Sequence, residues 1–269
     1  MKKKILDMVV VRASQPHTDY VLLQLKAADG SALPRMVPGQ FVEVRIDDAP
    51  GVLLRRPISI NLVDRRRGEL WLLVHAVGEG TRRLARLRAR DIINVVLPLG
   101  RGFTLPEEDA EERYLLVGGG VGVAPLLFLG QELLLRGSEP TFLLGARSAS
   151  DLLQLELFSA MGPTYVTTED GTAGEHGFVT QHSMWNATDA APFTRICTCG
   201  PKPMMQAVAR MAAERGIACE VSLENMMACG LGACLCCVEQ TREGNVCVCK
   251  EGPVFDSAKL RWLPGSREE

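Results

Sequence analysis

Tyr114-Leu115-Leu116-Val117-Gly118-Gly119-Gly120-Val121-Gly122-Val123-Ala124-Pro125 is the stretch on which the reading of this 269-residue chain turns. The apolar run at its start reads as a buried strand, the glycines as a tight turn, and Pro125 as the opening of a helix that runs to about Arg136. Gly120 to Pro125 spells G-x-G-x-x-P. Glycines there let the backbone approach a pyrophosphate, and the helix start behind them faces it with free N–H groups. A plain strand-to-helix turn uses glycines too; the order strand, turn, helix is what favours a nucleotide. Gly118, Gly120, Gly122 and Pro125 are the candidate binding residues of this loop.

Downstream, strand Thr141 to Leu144, helix Ser150 to Phe158, strand Arg195 to Thr198 and helix Lys202 to Arg215 follow in turn. Such alternation predicts a parallel sheet with helices on its faces, over residues 112–220. A second loop, Cys199-Gly200-Pro201-Lys202-Pro203-Met204, closes one of these strands, where open parallel sheets bind ligands. Cys199 stands there either beside a nicotinamide or as a small buried hydrophobe. The acidic residue expected after the second strand of a dinucleotide fold is absent, and Gly145-Ala146-Arg147-Ser148 stands in its place. Arg147 is able to meet a 2′-phosphate, which leaves NAD against NADP open.

Upstream, residues 1–105 carry short apolar runs such as Tyr20 to Leu25, Gln40 to Ile46 and Leu70 to His75. Asp29-Gly30, Pro38-Gly39, Pro50-Gly51 and Arg67-Gly68 separate them. This spacing predicts a small antiparallel barrel or sandwich, with a first strand from Lys4 to Val11 and one helix from about Thr81 to Ala89. Pro106 to Glu112 reads as an acidic linker. In Arg56-Pro57-Ile58-Ser59 the guanidinium suits a diphosphate and the hydroxyl a flavin ring atom, although an edge arginine beside a proline explains it equally. Gly78-Glu79-Gly80-Thr81 offers backbone donors to the same phosphates, or simply a turn with a Thr cap.

The tail supplies the redox centre. Cys229, Cys234, Cys237 and Cys249 read C-x4-C-x2-C…C, the plant-type spacing for one [2Fe-2S] cluster. Gly230 and Gly232 let the loop wrap tightly and aim N–H groups at the sulfurs. Cys236 and Cys247 are left over, and Cys247 competes with Cys249 for the fourth position. A zinc ribbon usually pairs two C-x2-C knuckles, which Cys247-x-Cys249 does not supply, and nine cysteines suit no disulfide framework.

The bulk composition adds limits. A net charge of −2 gives no electrostatic case for nucleic acid or an anionic membrane. The uncharged stretch Leu115 to Gln131 is too glycine-rich for a membrane span. Met1-Lys2-Lys3-Lys4 has the charge of a signal peptide, but Asp7 and Arg12 break the apolar run behind it. A cytoplasmic protein with reduced thiols is expected.

Taken in order, Arg56 to Ser59, Gly78 to Thr81, Gly118 to Pro125 and Cys199 to Pro201 resemble the ferredoxin reductase superfamily. The tail, Glu224-Asn225-Met226-Met227-Ala228-Cys229-Gly230-Leu231-Gly232-Ala233-Cys234 closing with Cys249-Lys250-Glu251-Gly252-Pro253-Val254-Phe255, is similar to one branch, the electron-transfer subunits of NAD-dependent (class 1B) dihydroorotate dehydrogenases. The resemblance implies an antiparallel β-barrel holding FAD (1–105), a parallel α/β domain taking NAD(H) (112–220) and a small [2Fe-2S] module (221–269). It puts FAD contacts at Arg56, Pro57, Ile58, Ser59, Leu73, Val74, His75, Gly80 and Thr81, and cluster ligands at Cys229, Cys234, Cys237 and Cys249. It implies a partner FMN subunit oxidising dihydroorotate, in a heterotetramer of two of each, and no catalytic side chain in this chain. The competing readings are a homologous subunit of a ferredoxin-linked NAD(P)H oxidoreductase or sulfhydrogenase, and a zinc-stabilised nucleotide-binding module.

Overall fold

A computed structural model describes residues 2–107, 112–186 and 193–263. The expected linker at Pro106 to Glu112 and the end of the expected cluster module lie partly outside these residues.

The first part is a closed antiparallel barrel. Its strands are β1 (Lys4–His17), β2 (Tyr20–Ala27), β3 (Phe41–Val44), β4 (Arg56–Asp64) and β5 (Glu69–His75), then helix α1 (Glu79–Leu84) and β6 (Ile92–Leu99). They close in the order β1-β2-β5-β4-β3-β6. Alternation drives the closure: Val21, Leu23, Leu25 and Ala27 of β2 point inward to meet Val42, Val44, Ile60, Leu72 and Val74. β1 runs past Val11 to His17 because it pairs with β2 across a register shift after Val10. Its second half is polar, so no apolar run announced it. α1 is shorter than expected. Once Leu84 is buried, the chain turns back and the Arg90 N–H donates to the Val10 carbonyl.

The second part is a seven-stranded sheet. It contains β7 (Tyr114–Gly119), helix α2 (Val123–Leu135), β8 (Thr141–Ala146), α3 (Leu155–Ser159), β9 (Thr164–Thr168), β10 (Glu175–His176), β11 (Arg195–Cys199), α4 (Lys202–Glu214) and β12 (Ala218–Ser222). The helix expected from Ser150 to Phe158 is broken at Gln154, which sits at φ 56°. Its side chain exchanges hydrogen bonds of 3.0 Å with Asn61 of the barrel, and this tertiary tie outweighs local helix propensity. Asn61 also donates to the Ala124 carbonyl at the start of α2. Phe128 of α2 reaches into the barrel's apolar core, so the two parts share packing.

The C-terminal segment adds a hairpin, β13 (Val238–Thr241) and β14 (Gly244–Cys247), a single helical turn α5 (Val248–Glu251) and β15 (Val254–Asp256). β15 pairs antiparallel with β12, giving the order β10-β9-β8-β7-β11-β12-β15. Phe41 and Leu99 on the outer face of the barrel pack in one cluster with Cys237, Val248, Cys249 and Phe255. Among the described residues no helix is long and apolar enough to cross a membrane.

Candidate functional site

A cleft of about 570 Å³ opens between one end of the barrel and the carboxyl ends of β7, β8, β9 and β11. Gly122 brings its two glycine loops together. A Cβ there would lie 2.5 Å from the Cys199 carbonyl, so any side chain would part them. Of the residues expected to hold the nucleotide, Gly120, Gly122, Gly200 and Pro201 line the cleft, and His75 faces them from the barrel. Gly118, Pro125 and Cys199 are buried behind the wall. Cys199 is 1% exposed, and burial pushes its thiol well above the ordinary value.

Several lining residues escaped the sequence reading: Tyr20, Thr167, Glu169, Phe178 and Glu224, whereas Met204 of the second loop does line the cleft. Tyr20 stacks on His75 with ring centroids 4.4 Å apart and planes 11° from parallel. Thr167 lies in β9, a strand too short and polar to stand out, and Glu169 directly follows it. The acidic run Glu169-Asp170 before Gly171 was the available signal for a strand-end loop.

On the barrel, Arg55 and Arg56 part company. Arg55 is consumed by structure, donating to the Asn94 carbonyl at 3.0 Å and to its Oδ1 at 2.6 Å. Arg56 donates through Nη1 to the Leu54 and Arg55 carbonyls and lies against Gly80. Its Nε and Nη2 take no hydrogen bond among the described residues. Gly80 and Thr81 are therefore gathered beside a guanidinium with free donors, an arrangement that suits a diphosphate. Thr81 closes the turn by donating to the Gly78 carbonyl at 3.2 Å. Ile58 and Val74 point into the barrel core, so they can offer a flavin only backbone. Pro57, Ser59 and His75 face outward, and Leu73 packs with Phe103 and Tyr114.

The expected cluster cysteines converge as two pairs. Cys229 lies beside Cys234, and Cys237 beside Cys249. The Leu231 N–H points at Cys229 Sγ at 3.3 Å, the Gly232 N–H at Cys249 Sγ at 3.1 Å, and the Cys249 N–H at Cys237 Sγ at 3.4 Å. The Leu231 amide and those of Cys234 and Ala233 draw the Cys229 thiol down to about 6. Burial pushes Cys249 up. Cys236 is exposed, and Cys247 Sγ faces the Gly232 carbonyl at 4.0 Å. Two thiol pairs under convergent amides fit a diiron centre, one pair to each iron.

Glu43 lies between the two regions. It faces away from the barrel core, pairs in register with Pro57, and packs against Gly230 of the cysteine loop. It is 1% exposed, and neither carboxylate oxygen has a hydrogen-bond partner among the described residues. Burial pushes its carboxyl up to about 7. A folded value above the unfolded one means that the fold prefers the protonated form. The carboxyl costs little below about pH 4.5 and progressively more as pH rises through 7. Negative charge on the thiolates acts in the same direction. Glu43→Gln should therefore raise stability at pH 8.5 by on the order of 2–3 kcal/mol, with the gain shrinking toward pH 4.5. Thermal melts across that range check it; a loss of stability at pH 8.5 would show an unseen partner for the carboxylate.

A barrel presenting Arg56 beside Gly80, a dinucleotide cleft and a four-cysteine module together define a ferredoxin-reductase-like oxidoreductase. The comparisons narrow the class. Residues 224–261 match the iron-sulfur cluster binding domain of dihydroorotate dehydrogenase B, and residues 116–210 match the oxidoreductase NAD-binding domain. The chain is 38% identical over 260 residues to the "Dihydroorotate dehydrogenase B (NAD(+)), electron transfer subunit" of Shouchella clausii (strain KSM-K16), covering 95% of this chain and 97% of that one. To the subunit of the same name from Desulforamulus reducens it is 39% identical, covering 96% and 99%. Among solved structures, a chain of the NADH-dependent reduced ferredoxin-NADP oxidoreductase superposes with a TM-score of 0.84 at 28% identity, over 95% of this chain and 90% of that one. The chain belongs to the family of dihydroorotate dehydrogenase B electron transfer subunits.

Proposed function

We propose that this chain passes electrons from a partner subunit that oxidises dihydroorotate, through a [2Fe-2S] centre and FAD, to NAD+. The convergence of four thiols under aimed amides, on a module packed against the flavin-type barrel, carries this reading. When bound, the cluster supplies one-electron transfer and the flavin the pairing of electrons that a nicotinamide requires.

Cys229, Cys234, Cys237 and Cys249 hold the cluster, and Gly232 and Leu231 donate to its ligands. Arg56 binds the FAD diphosphate beside Gly80 and Thr81, while Pro57, Ser59 and His75 orient the flavin, with backbone from Ile58, Leu73 and Val74. Gly118, Gly120, Gly122 and Pro125 with Cys199, Gly200 and Pro201 form the nicotinamide dinucleotide loops. Met226, Leu231 and Leu235 leave apolar side chains exposed around the outer thiols. That face suits a partner carrying FMN, in an assembly of two of each chain. The thiols require a reducing compartment, the cytoplasm.

Arg56→Ala should weaken FAD retention by about 10- to 100-fold, read as flavin stoichiometry after dialysis; full retention would move the diphosphate elsewhere. The whole reading is tested by co-expression with an FMN-type dihydroorotate dehydrogenase under argon. Dihydroorotate-dependent NAD+ reduction by the purified complex supports it. Its absence from a complex loaded with iron, sulfide and both flavins would overturn it in favour of the ferredoxin-linked reading.

A further inference from the structure

Helix α4 stands between the cleft and the cysteine module. At its start Pro201, Pro203 and Met204 line the cleft. On its other side Met205, Val208 and Ala209 share one apolar cluster with Cys237 and Cys249. Neighbouring methionines divide the two directions. A Cβ on Gly119 of the first glycine loop would meet Met204 Sδ at 2.8 Å, whereas Met205 is 2% exposed within the cysteine cluster.

Lys202, the first residue of α4, stands out in this arrangement. It puts a cation at the helix end where the macrodipole favours anions. Pro201 and Pro203 on either side of it face the cleft, while its own side chain runs to the cluster hairpin. Its Nζ lies 3.8 Å from Glu239 Oε1 and 5.8 Å from the centre of the Trp262 ring. Among the described residues this is the one ion pair between α4 and the hairpin. Glu239 lies in β13, just after Cys237, with 15% of its side chain exposed. Its other oxygen accepts from Asn225 Nδ2 at 3.0 Å. One carboxylate thus gathers the cleft wall, the stretch leading to Cys229 and the strand leaving Cys237. The hairpin does not need this knot for its own anchorage. The Arg242 N–H donates to the Lys259 carbonyl at 2.9 Å, and Arg261 Nε to the Thr241 carbonyl at 3.2 Å.

We propose that Lys202 is a positioning residue that couples the two sites through Glu239, so that an electron arriving at the four thiols loosens a reduced dinucleotide in the cleft. This rests on the reading of the cysteines as the cluster site and of the cleft as the NAD(H) site. The electron adds negative charge beside Glu239 and drives its carboxylate toward the Lys202 ammonium. A stronger pull along that line draws the wall at Pro201 and Pro203 back from the ligand. Electrons arriving for the next turnover then hasten release of the NADH formed in the last. By linkage, NADH in the cleft makes the cluster harder to reduce by the same factor.

The test uses the full-length protein carrying FAD and cluster, prepared anaerobically, and tetrahydro-NAD, a dinucleotide whose ring cannot give up hydride. Its Kd is measured with the protein oxidised and with it reduced by dithionite. The reduced parent should bind about 5-fold more weakly than the oxidised parent. Lys202→Met and Glu239→Gln should each cut that ratio to about 2-fold or less, and Lys202→Arg should keep it. The electron paramagnetic resonance line shape of the reduced cluster should change on adding tetrahydro-NAD to the parent and to Lys202→Arg, but not to Lys202→Met. Equal affinity in the two redox states of the parent, or a ratio unchanged in Lys202→Met and Glu239→Gln, overturns the coupling while leaving both sites standing. Parent protein that holds no iron, or that binds no tetrahydro-NAD, overturns the site concerned and the inference with it.

Discussion

Cys234→Ser should retain less than about a tenth of the iron and acid-labile sulfide of the parent protein. The loss should come without loss of flavin. Cys234 is exposed at the tip of its loop, so the exchange of sulfur for oxygen disturbs no packing. What it removes is one thiolate from the pair with Cys229, and an iron centre short of one sulfur is not held. Cys236→Ser supplies the contrast. Its thiol is also exposed and lies two positions away, yet the two pairs are complete without it. Iron and sulfide analysis after anaerobic purification reads both variants. Normal cluster content in Cys234→Ser, or loss of it in Cys236→Ser, would overturn the ligand set.

Gly230→Val should destabilise the protein strongly. Gly230 sits at φ 64°, and a Cβ there would meet Glu43 Cγ at 2.8 Å and Leu99 Cδ1 at 3.1 Å. A β-branched residue therefore combines left-handed strain with overpacking against the barrel, a cost of about 2–5 kcal/mol. In a chain of this size that lowers Tm by roughly 5–15 °C. Gly137→Ala separates the two contributions. Gly137 has φ 78° with nothing within 4 Å of the added Cβ, so it meets backbone strain alone. Equal losses of Tm in the two variants would show that the close approach of loop and barrel contributes nothing.

The parts of the fold written in strong local pattern were legible in the sequence. Tyr114 to Pro125 showed a strand, a turn and a helix because apolar residues, glycines and a proline each force one backbone state. The iron-sulfur character of the tail was legible because the C-x4-C-x2-C spacing answers to the size of a diiron core, and residues 224–261 match the iron-sulfur domain. β9 was not, since Thr164 to Thr168 is short, polar and flanked by loops. The kink at Gln154 was invisible for a different reason. It arises from hydrogen bonds to Asn61, nearly a hundred residues away in the chain, and no local window contains both partners. Glu43 was hidden likewise. Gly230, which packs against it, comes from the far end of the chain, and no local window contains both residues.

β15 gives the C-terminal segment a further consequence. By pairing with β12 it covers a strand edge that would otherwise lie open, and the segment's apolar residues roof over Phe41 and Leu99. A shortened protein ending near Ser222 would expose a row of unpaired amides beside a greasy patch, the combination that seeds intermolecular strand pairing. The redox tail is consequently a keystone rather than an appendage, and grafting it onto or pruning it from this scaffold would put solubility at stake before electron flow.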